Sequence, residues 1–587
     1  MTRHIAYPVF IATIFLSTVV CHAAGPAVTF TYPYGTKTTA LERIRYAGHT
    51  DPMANLSING IPQRLSSIGS FAGLFPLSIG KNVLVATAEL GGVTASARIE
   101  ITRKSPSVPF SDKPWRIDPR LCLPRSPVWL SPPGSLTVRC VGSPGGTATF
   151  SVGPFSECPM IETGAGIYEG ELVISSGESW NEGTVEFELI DPTGKKKTRG
   201  NAQGSVTLLT TRSPIVLETS GDDPIPLFRT SNGRTRYVDL PAGVLLEAVG
   251  REEKRYEVRL SSIRTAFVDT RHVKRLPEGT QRPRSTVESI RTEVKSDRTV
   301  VHVPLSKRLP FIVTELDDPP RLDLRIYGAQ ADTWWITGRH NDRTVKRFSE
   351  ETASDGAYRL VLTLKHNHWG YLAHYEGTTL CLDVNAPPSL PEIAEGRLRG
   401  LVVAIDPGHG GTNRGSRAPG GTWEKDVNRK LGDRLEKRLR AMGAETVILR
   451  QGDETISLQD RVERARRSGA NILVSLHNNS IGDDADPLAT RGASTYHYYL
   501  HSVELSRIVY EKLLALPEVE PWGHVGRFDF APIRGSTDMV GFLVECLFLS
   551  HPMDEEIILN SDAQNRITEA IAEGVLEFLQ ERLSPQI

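Results

Sequence analysis

Four residues in the last third of the sequence carry side chains that can hold or move charge, and each stands at the end of an apolar run or the start of a helical one. His409 lies in Ile405-Asp406-Pro407-Gly408-His409-Gly410-Gly411, a glycine-rich turn after the strand-like residues 401–405. His477 follows the apolar residues 472–476, Glu545 ends the run 541–544, and Glu424 opens a helical pattern after the glycine loop. The turn has no Gly-Lys-Ser/Thr and no full dinucleotide fingerprint, so its chemistry is not that of a nucleotide cradle. Two imidazoles gathered with a carboxylate suit a catalytic zinc site, in which three protein ligands leave a fourth position open. Neutral imidazole nitrogens match borderline-soft Zn²⁺, and one ionised Glu lowers the net positive charge. The ligands are separated by loops rather than borne on a His-Glu-x-x-His helix, which sets the pattern apart from thermolysin-like enzymes. Each residue also has an ordinary structural use: His409 in a turn, Glu424 as a helix-start charge, His477 as a strand-end hydrogen bonder, Glu545 in a buried salt bridge.

Those groups can act together only if the fold brings them to one edge. Beyond Gly400, Val427, Leu431, Leu435, Leu439 and Met442 form one helical stripe, with Gly443 as its stop. A strand is predicted at 446–449. Ser457 with Asp460 caps a helix carrying Leu458, Val462 and Ala465, Gly469 ends it, and a buried strand follows at 472–476. This alternation predicts an α/β domain with helices flanking a largely parallel sheet. In open α/β sheets, groups beyond the carboxyl ends of the strands converge on one crevice. His409, His477 and Glu545 all occupy such positions.

Residues 400–582 resemble the zinc-dependent N-acetylmuramoyl-L-alanine amidases of the third amidase type. The matching motifs are 405–411, then Trp423-Glu424-Lys425-Asp426-Val427-Asn428, then Ser475-Leu476-His477-Asn478-Asn479, and finally Leu543-Val544-Glu545 with Phe548-Leu549-Ser550. The resemblance implies that His409, Glu424 and His477 bind Zn²⁺ and that Glu545 is the catalytic carboxylate. It implies hydrolysis of the amide between N-acetylmuramic acid and L-alanine of the peptide stem of peptidoglycan. Arg534 resembles a basic position of the family and is expected to hold a substrate carboxylate or the oxyanion. Asp406 and Asn478 are expected to orient the ligands, and strand alternation turns Cys546 away from the site. Leu547 and His551 stand where family members tend to carry Gly and Asn, which affects the loop after Glu545 and no ligand. The stretch from His477 to Glu545 is too short for the plugging helix of some division-linked relatives, so the domain is expected to act without an activator. The alternatives are a zinc hydrolase of another cell-wall amide and a non-catalytic wall-binding scaffold.

At 587 residues the chain is too long for one core, and the upstream part reads as all-β. Period-two alternation predicts a β-sandwich module at 27–103 and a second sandwich-like module at 120–213. Residues 214–280 resemble bacterial SH3-like domains, through Pro241 to Gly243, Tyr256 to Arg259 and Phe267-Val268. Residues 288–388 resemble the AMIN β-domains that precede some cell-wall amidases. Within them, His366, Asn367, His368 and Trp369 are expected to lie on a solvated face.

Lys and Arg number 68 against 69 Asp and Glu, which gives no basic field for nucleic acid. Residues 1–24 have Arg3 and His4, an apolar run containing Pro8, and then small residues. That is the pattern of a signal peptide, and the run falls short of the ~20 apolar residues a membrane span needs. The mature protein is therefore expected without a transmembrane segment, exported to the periplasm or cell envelope. Among its cysteines, Cys122, Cys140 and Cys158 allow one disulfide with one thiol left over, while Cys381 and Cys546 are expected to be buried thiols.

Overall fold

A computed structural model describes residues 25–583 apart from 105–113, 176–179, 210–213, 222–223 and 339–340. The predicted signal peptide and Cys21 lie outside the described residues. The C-terminal domain contains β1 (Val402–Pro407), α1 (Glu424–Ala441), β2 (Glu445–Ile448), α2 (Leu458–Arg467), β3 (Ile472–Asn479) and β4 (Ala493–His497). It continues with α3 (Val503–Leu514), β5 (Pro521–Gly526), α4 (Ala531–Gly535), β6 (Val540–Phe548), α5 (Pro552–Leu559) and α6 (Ser561–Leu583). The sheet order is β2-β1-β3-β6-β4-β5. Neighbours from β2 to β6 are parallel, whereas β4 runs antiparallel to β6, so the sheet is mixed. The registers set Asp406 beside Ser475 and His477 beside Glu545. β6 is buried along its whole length, which explains a sequence that is apolar except at Glu545.

Helix α1 buries Val427, Leu431, Leu435 and Leu439, places Glu424 and Asp426 in its first turn, and places Arg438 and Arg440 in its last. The charges complement the helix dipole, and the apolar stripe packs with Val403, Ile405, Val474, Phe542 and Val544 in one core. A Cβ at Gly432 would stand 2.7 Å from the Pro407 ring; only glycine lets α1 lie this close to the end of β1.

Upstream, the first module pairs a three-stranded sheet with a five-stranded one over Tyr46, Phe71 and Leu84. The second and third predicted modules share one hydrogen-bonded sheet: Val128–Leu130 pairs with the strand Lys197–Leu208, and Trp129 with Arg251 of the strand Leu245–Glu252. Two further sheets occupy the strands between Ser285 and Asn385, and their core is continuous with that of residues 217–268. Cys122, Cys140, Cys158, Cys381 and Cys546 are free thiols, with Cys122 and Cys140 hydrogen-bonded to each other. Among the described residues no helix is long and apolar enough to cross a membrane.

Two β modules dock on the C-terminal domain. In one, Trp369 Nε1 donates to Asn471 O (2.9 Å), Tyr371 N to Thr537 O (2.7 Å) and Asn385 Nδ2 to Asp538 O (2.7 Å). Gly370 sits at φ 109°, and a Cβ there would stand 2.5 Å from the Asp538 carbonyl carbon. His368 and Trp369 are therefore buried rather than on a solvated face. Period-two patterning identified a strand neighbourhood but not the second domain that covers it.

The first module docks from the other side. Arg45 N donates to Asp483 O (2.7 Å), Lys37 Nζ pairs with Asp483 (2.6 Å), and Thr31 Oγ1 donates to Pro419 O (2.8 Å). Ser67 Oγ donates to Glu556 Oε1 (2.5 Å).

Candidate metal centre

His409 follows β1 in the left-handed region, at φ 63°, a conformation that a non-glycine residue adopts only where surroundings hold it. What holds it is a set of buried guanidinium contacts. Arg461 of α2 donates to Asp406, to Pro407 O (3.0 Å) and to His409 O (2.5 Å). Arg450 donates to Pro407 O (3.1 Å) and Lys425 O (2.8 Å). Ser475 Oγ donates to the other Asp406 oxygen (2.9 Å). A fully buried carboxylate thus ties α2, β1 and β3 together directly beneath the histidine loop.

His409, Glu424 and His477 converge, with one ligand atom from each lying within 4.8 Å of the others. His409 Nε2 is 3.0 Å and His477 Nδ1 is 3.1 Å from the same Glu424 oxygen, Oε1. That oxygen also accepts from Asn478 N (3.2 Å) and Asn428 Nδ2 (3.4 Å), while Oε2 accepts from Ser416 N (2.8 Å) and Ser416 Oγ (3.1 Å). His409 Nδ1 lies 2.9 Å from Asn413 Oδ1. An amide oxygen can only accept, so Nδ1 carries the hydrogen and Nε2 of the neutral ring presents a lone pair to the carboxylate. Two lone pairs at hydrogen-bond distance need a proton or a cation between them.

The backbone is cleared around this cluster. A Cβ on Gly408 would meet His477 Nε2 at 2.2 Å, and one on Gly415 would meet Glu424 Oε2 at 2.4 Å and His409 at 2.7 Å. With a proton rather than an ion between the groups, burial pushes the Glu424 carboxyl up, but hydrogen bonds from His409 and His477, and their charge, hold it well below the usual carboxylate range. Burial pushes His409 down, and its hydrogen bond to Glu424 more than compensates, leaving it raised. Glu545 is buried, and its Oε2 has no hydrogen-bond partner among the described residues. Burial, followed by repulsion from Glu424, raises its carboxyl well above the ordinary range. A divalent ion relieves both conditions: it satisfies the opposed lone pairs and offsets the repulsion between the two carboxylates. The donor set of two imidazole nitrogens and a carboxylate fits a zinc ion.

Arg534 is not brought into this group. On α4, its guanidinium is held by Asp529 and, at 3.5 Å, by Asp239 of an upstream module. Burial and the charge of Glu545 raise the Cys546 thiol far above its ordinary value, and the side chain lies in the core. Asn413, Ser416, Arg450 and Arg461 were not singled out from the sequence. Asn413 and Ser416 were signalled only by lying in the glycine loop, Arg461 is one of four arginines on α2, and Arg450, between β2 and α2, carried no signal.

The fold and the cluster together define an α/β domain with a candidate metal centre at the carboxyl edge of its sheet. Residues 403–577 match the family model described as N-acetylmuramoyl-L-alanine amidase. The C-terminal domain belongs to that family. The chain is 27% identical over 237 residues to the N-acetylmuramoyl-L-alanine amidase AmiC of Neisseria meningitidis serogroup B, covering 33% of this chain and 56% of that protein. It is 30% identical over 183 residues to the N-acetylmuramoyl-L-alanine amidase LytC of Bacillus subtilis, covering 30% of this chain and 36% of LytC. The match thus spans about half or less of the length of either relative. Among solved structures, the N-acetylmuramoyl-L-alanine amidase AmiC2 of Nostoc punctiforme is 35% identical, with 31% of this chain and 97% of that one covered and a TM-score of 0.29.

Proposed function

We propose that this chain is an exported, zinc-dependent peptidoglycan hydrolase that cleaves the amide between N-acetylmuramic acid and the L-alanine of the peptide stem. The observation that carries the proposal is the pair of imidazole nitrogens set against one Glu424 oxygen at 3.0 and 3.1 Å, with Glu545, whose Oε2 has no hydrogen-bond partner among the described residues, in the adjoining register position. His409, Glu424 and His477 would hold the ion. When bound, it supplies Lewis acidity to the amide carbonyl and acidifies water at the site. Asn413 fixes the His409 tautomer, and Ser416, Asn428 and Asn478 N–H orient the carboxylate. Glu545 takes a proton from the attacking water and returns it to the departing alanine nitrogen, which leaves readily only as a neutral amine. Arg461 and Asp406 keep the histidine loop in its left-handed turn throughout.

The upstream β modules, with their SH3-like and AMIN-like resemblances, would hold the enzyme against the wall; co-sedimentation of residues 25–390 with purified sacculi tests that. The catalytic reading is tested by metal analysis of the full chain together with mass analysis of digested sacculi. About one zinc per chain is expected, with release of intact stems bearing N-terminal alanine. Shortened stems would instead indicate hydrolysis of another wall amide, and no release at all would indicate a binding protein.

A further inference from the structure

The loop that carries the candidate ligands also builds a second group of side chains on its outer side. Asn413, Gly415 and Ser416 touch His409 or Glu424; the interleaved Arg414 and Arg417 do not. Both guanidiniums lie on Trp423, the residue immediately before Glu424, at 5.2 and 5.1 Å from its ring. The first β module adds Tyr34, stacked on Trp423 with ring centroids 6.1 Å apart and planes 24° apart, and 5.8 Å from the Arg417 guanidinium. Tyr34 is half exposed and Arg414 is exposed. Among the described residues neither Arg414 nor Arg417 has a carboxylate partner, although most other arginines near this domain do. Cation–π contact orients both guanidiniums; Arg417 Nε also donates to Gly421 O (3.0 Å), which fixes that side chain and leaves its terminal N–H groups, like those of Arg414, without a hydrogen-bond partner among the described residues. Such groups are suited to a carboxylate, which they grip through paired hydrogen bonds.

Resting on the amidase reading, we propose that Arg414, Arg417, Trp423 and Tyr34 form a subsite for the carboxylates of the peptide stem, and that the first β module completes it. The substrate's chemistry gives the direction. Forming the scissile amide consumes the lactyl carboxyl on the sugar side, so the free carboxylates near the cut belong to the peptide. An extended peptide advances at most ~3.3–3.6 Å per residue, so an acidic group two or three residues from the cut lies ~7–11 Å away. Trp423, which carries both guanidiniums, directly precedes the ligand Glu424, so the subsite adjoins the ligand cluster. Docking of the first module through Thr31, Lys37 and Arg45 fixes Tyr34 at this rim.

The test uses the full chain and two soluble muramoyl-peptide substrates, one with free stem carboxylates and one with them amidated. The wild type is expected to favour the free-carboxylate substrate about ten-fold in kcat/KM. Arg414→Gln/Arg417→Gln is expected to reduce that preference below two-fold, through KM rather than kcat, with metal content unchanged. Tyr34→Ala is expected to raise KM about three-fold for the acidic substrate only, and Tyr34→Phe to restore it. A purely structural clamp would affect both substrates alike, which overturns the proposal, as does a preference that survives in the double variant. If the wild type cleaves neither substrate, the amidase reading fails separately. Calorimetric binding of the free stem peptide then decides the subsite: loss on amidation and in the double variant supports it, and equal binding of all forms refutes it.

Discussion

Glu315→Gln is expected to loosen the contact between the 285–385 module and the C-terminal domain, and to do so in a pH-dependent way. Glu315 lies on the strand Phe311–Leu316, and His501 precedes α3. The carboxylate accepts from His501 Nδ1 at 2.8 Å and from His501 N at 3.1 Å, while His501 Nε2 donates to Met539 O at 3.1 Å. Both ring nitrogens face acceptors, so both are satisfied only when both carry hydrogen. Beside this pair, His368 accepts from Gly370 N at 3.1 Å. Burial pushes Glu315 up, but the charge and hydrogen bond of His501 bring it to about 2. A carboxyl depressed from its ordinary 4.5 contributes stability that is fully present above that value and lost as pH falls toward 2. That depression corresponds to about 3 kcal/mol, the lower end of the cost of breaking a buried pair. His368 is lowered to about 3, by burial and then by the His501 charge. Its neutral form is the folded one, so its contribution is lost as pH falls from 6.5 toward 3.

The acid-labile window of this interface therefore runs from about pH 6.5 down to 2. Hydrogen exchange at Tyr371 N, which donates to Thr537 O across the interface, reads the opening locally and avoids assuming two-state unfolding of a multidomain chain. At pH 7 the variant is expected to exchange on the order of a hundred-fold faster. The gap to wild type should shrink to roughly ten-fold at pH 3, where much of the wild-type pair's contribution is already lost. A gap below three-fold at pH 7, or one that stays constant with pH, refutes the charged-pair account.

Glu545→Gln is expected to lower kcat by 10²–10⁴ while zinc content, measured by mass spectrometry, stays near wild type. His477→Ala should reverse that pattern, losing bound zinc and activity together. Arg461→Met removes the donor that holds Asp406 and the His409 carbonyl; leaving Asp406 buried and unpaired should cost about 3 kcal/mol and weaken zinc affinity, read by chelator competition. The purified enzyme should digest sacculi without any added protein, and a rate that rises more than ten-fold with an envelope extract would contradict that.

What could be read from the sequence followed the physics of local patterning. The strand runs ending at 405, 476 and 544 were visible because buried parallel strands are continuously apolar, and the polar residue that breaks each run marks the carboxyl edge. Glu424 was visible because α1 begins there with an apolar stripe at helical spacing. The positions of Asn413 and Ser416 were not legible, since loop hydrogen bonds obey no period. Arg534 was assigned by family likeness, and its two acidic partners, one of them Asp239 in a distant module, left no local trace. His368 illustrates the same limit: alternation identifies two faces of a strand, not which of them another domain will cover.

The contacts that sequence could not supply are the ones that make the site a property of the whole chain. Thr31 reaches Pro419 across 388 residues and Lys37 reaches Asp483 across 446, so the two loops flanking the ligand cluster are tied to the first module. From beneath, Arg450 and Arg461 hold the same histidine loop through buried hydrogen bonds to its carbonyls. A loop fixed on both sides presents its ligands with little reorganisation, the condition under which metal affinity and electrostatic stabilisation are greatest. It follows that the isolated C-terminal domain would keep the lower set of restraints and lose the upper. Its zinc affinity should then fall less than its affinity for substrate, because the ligands belong to the domain while Tyr34 at the rim does not.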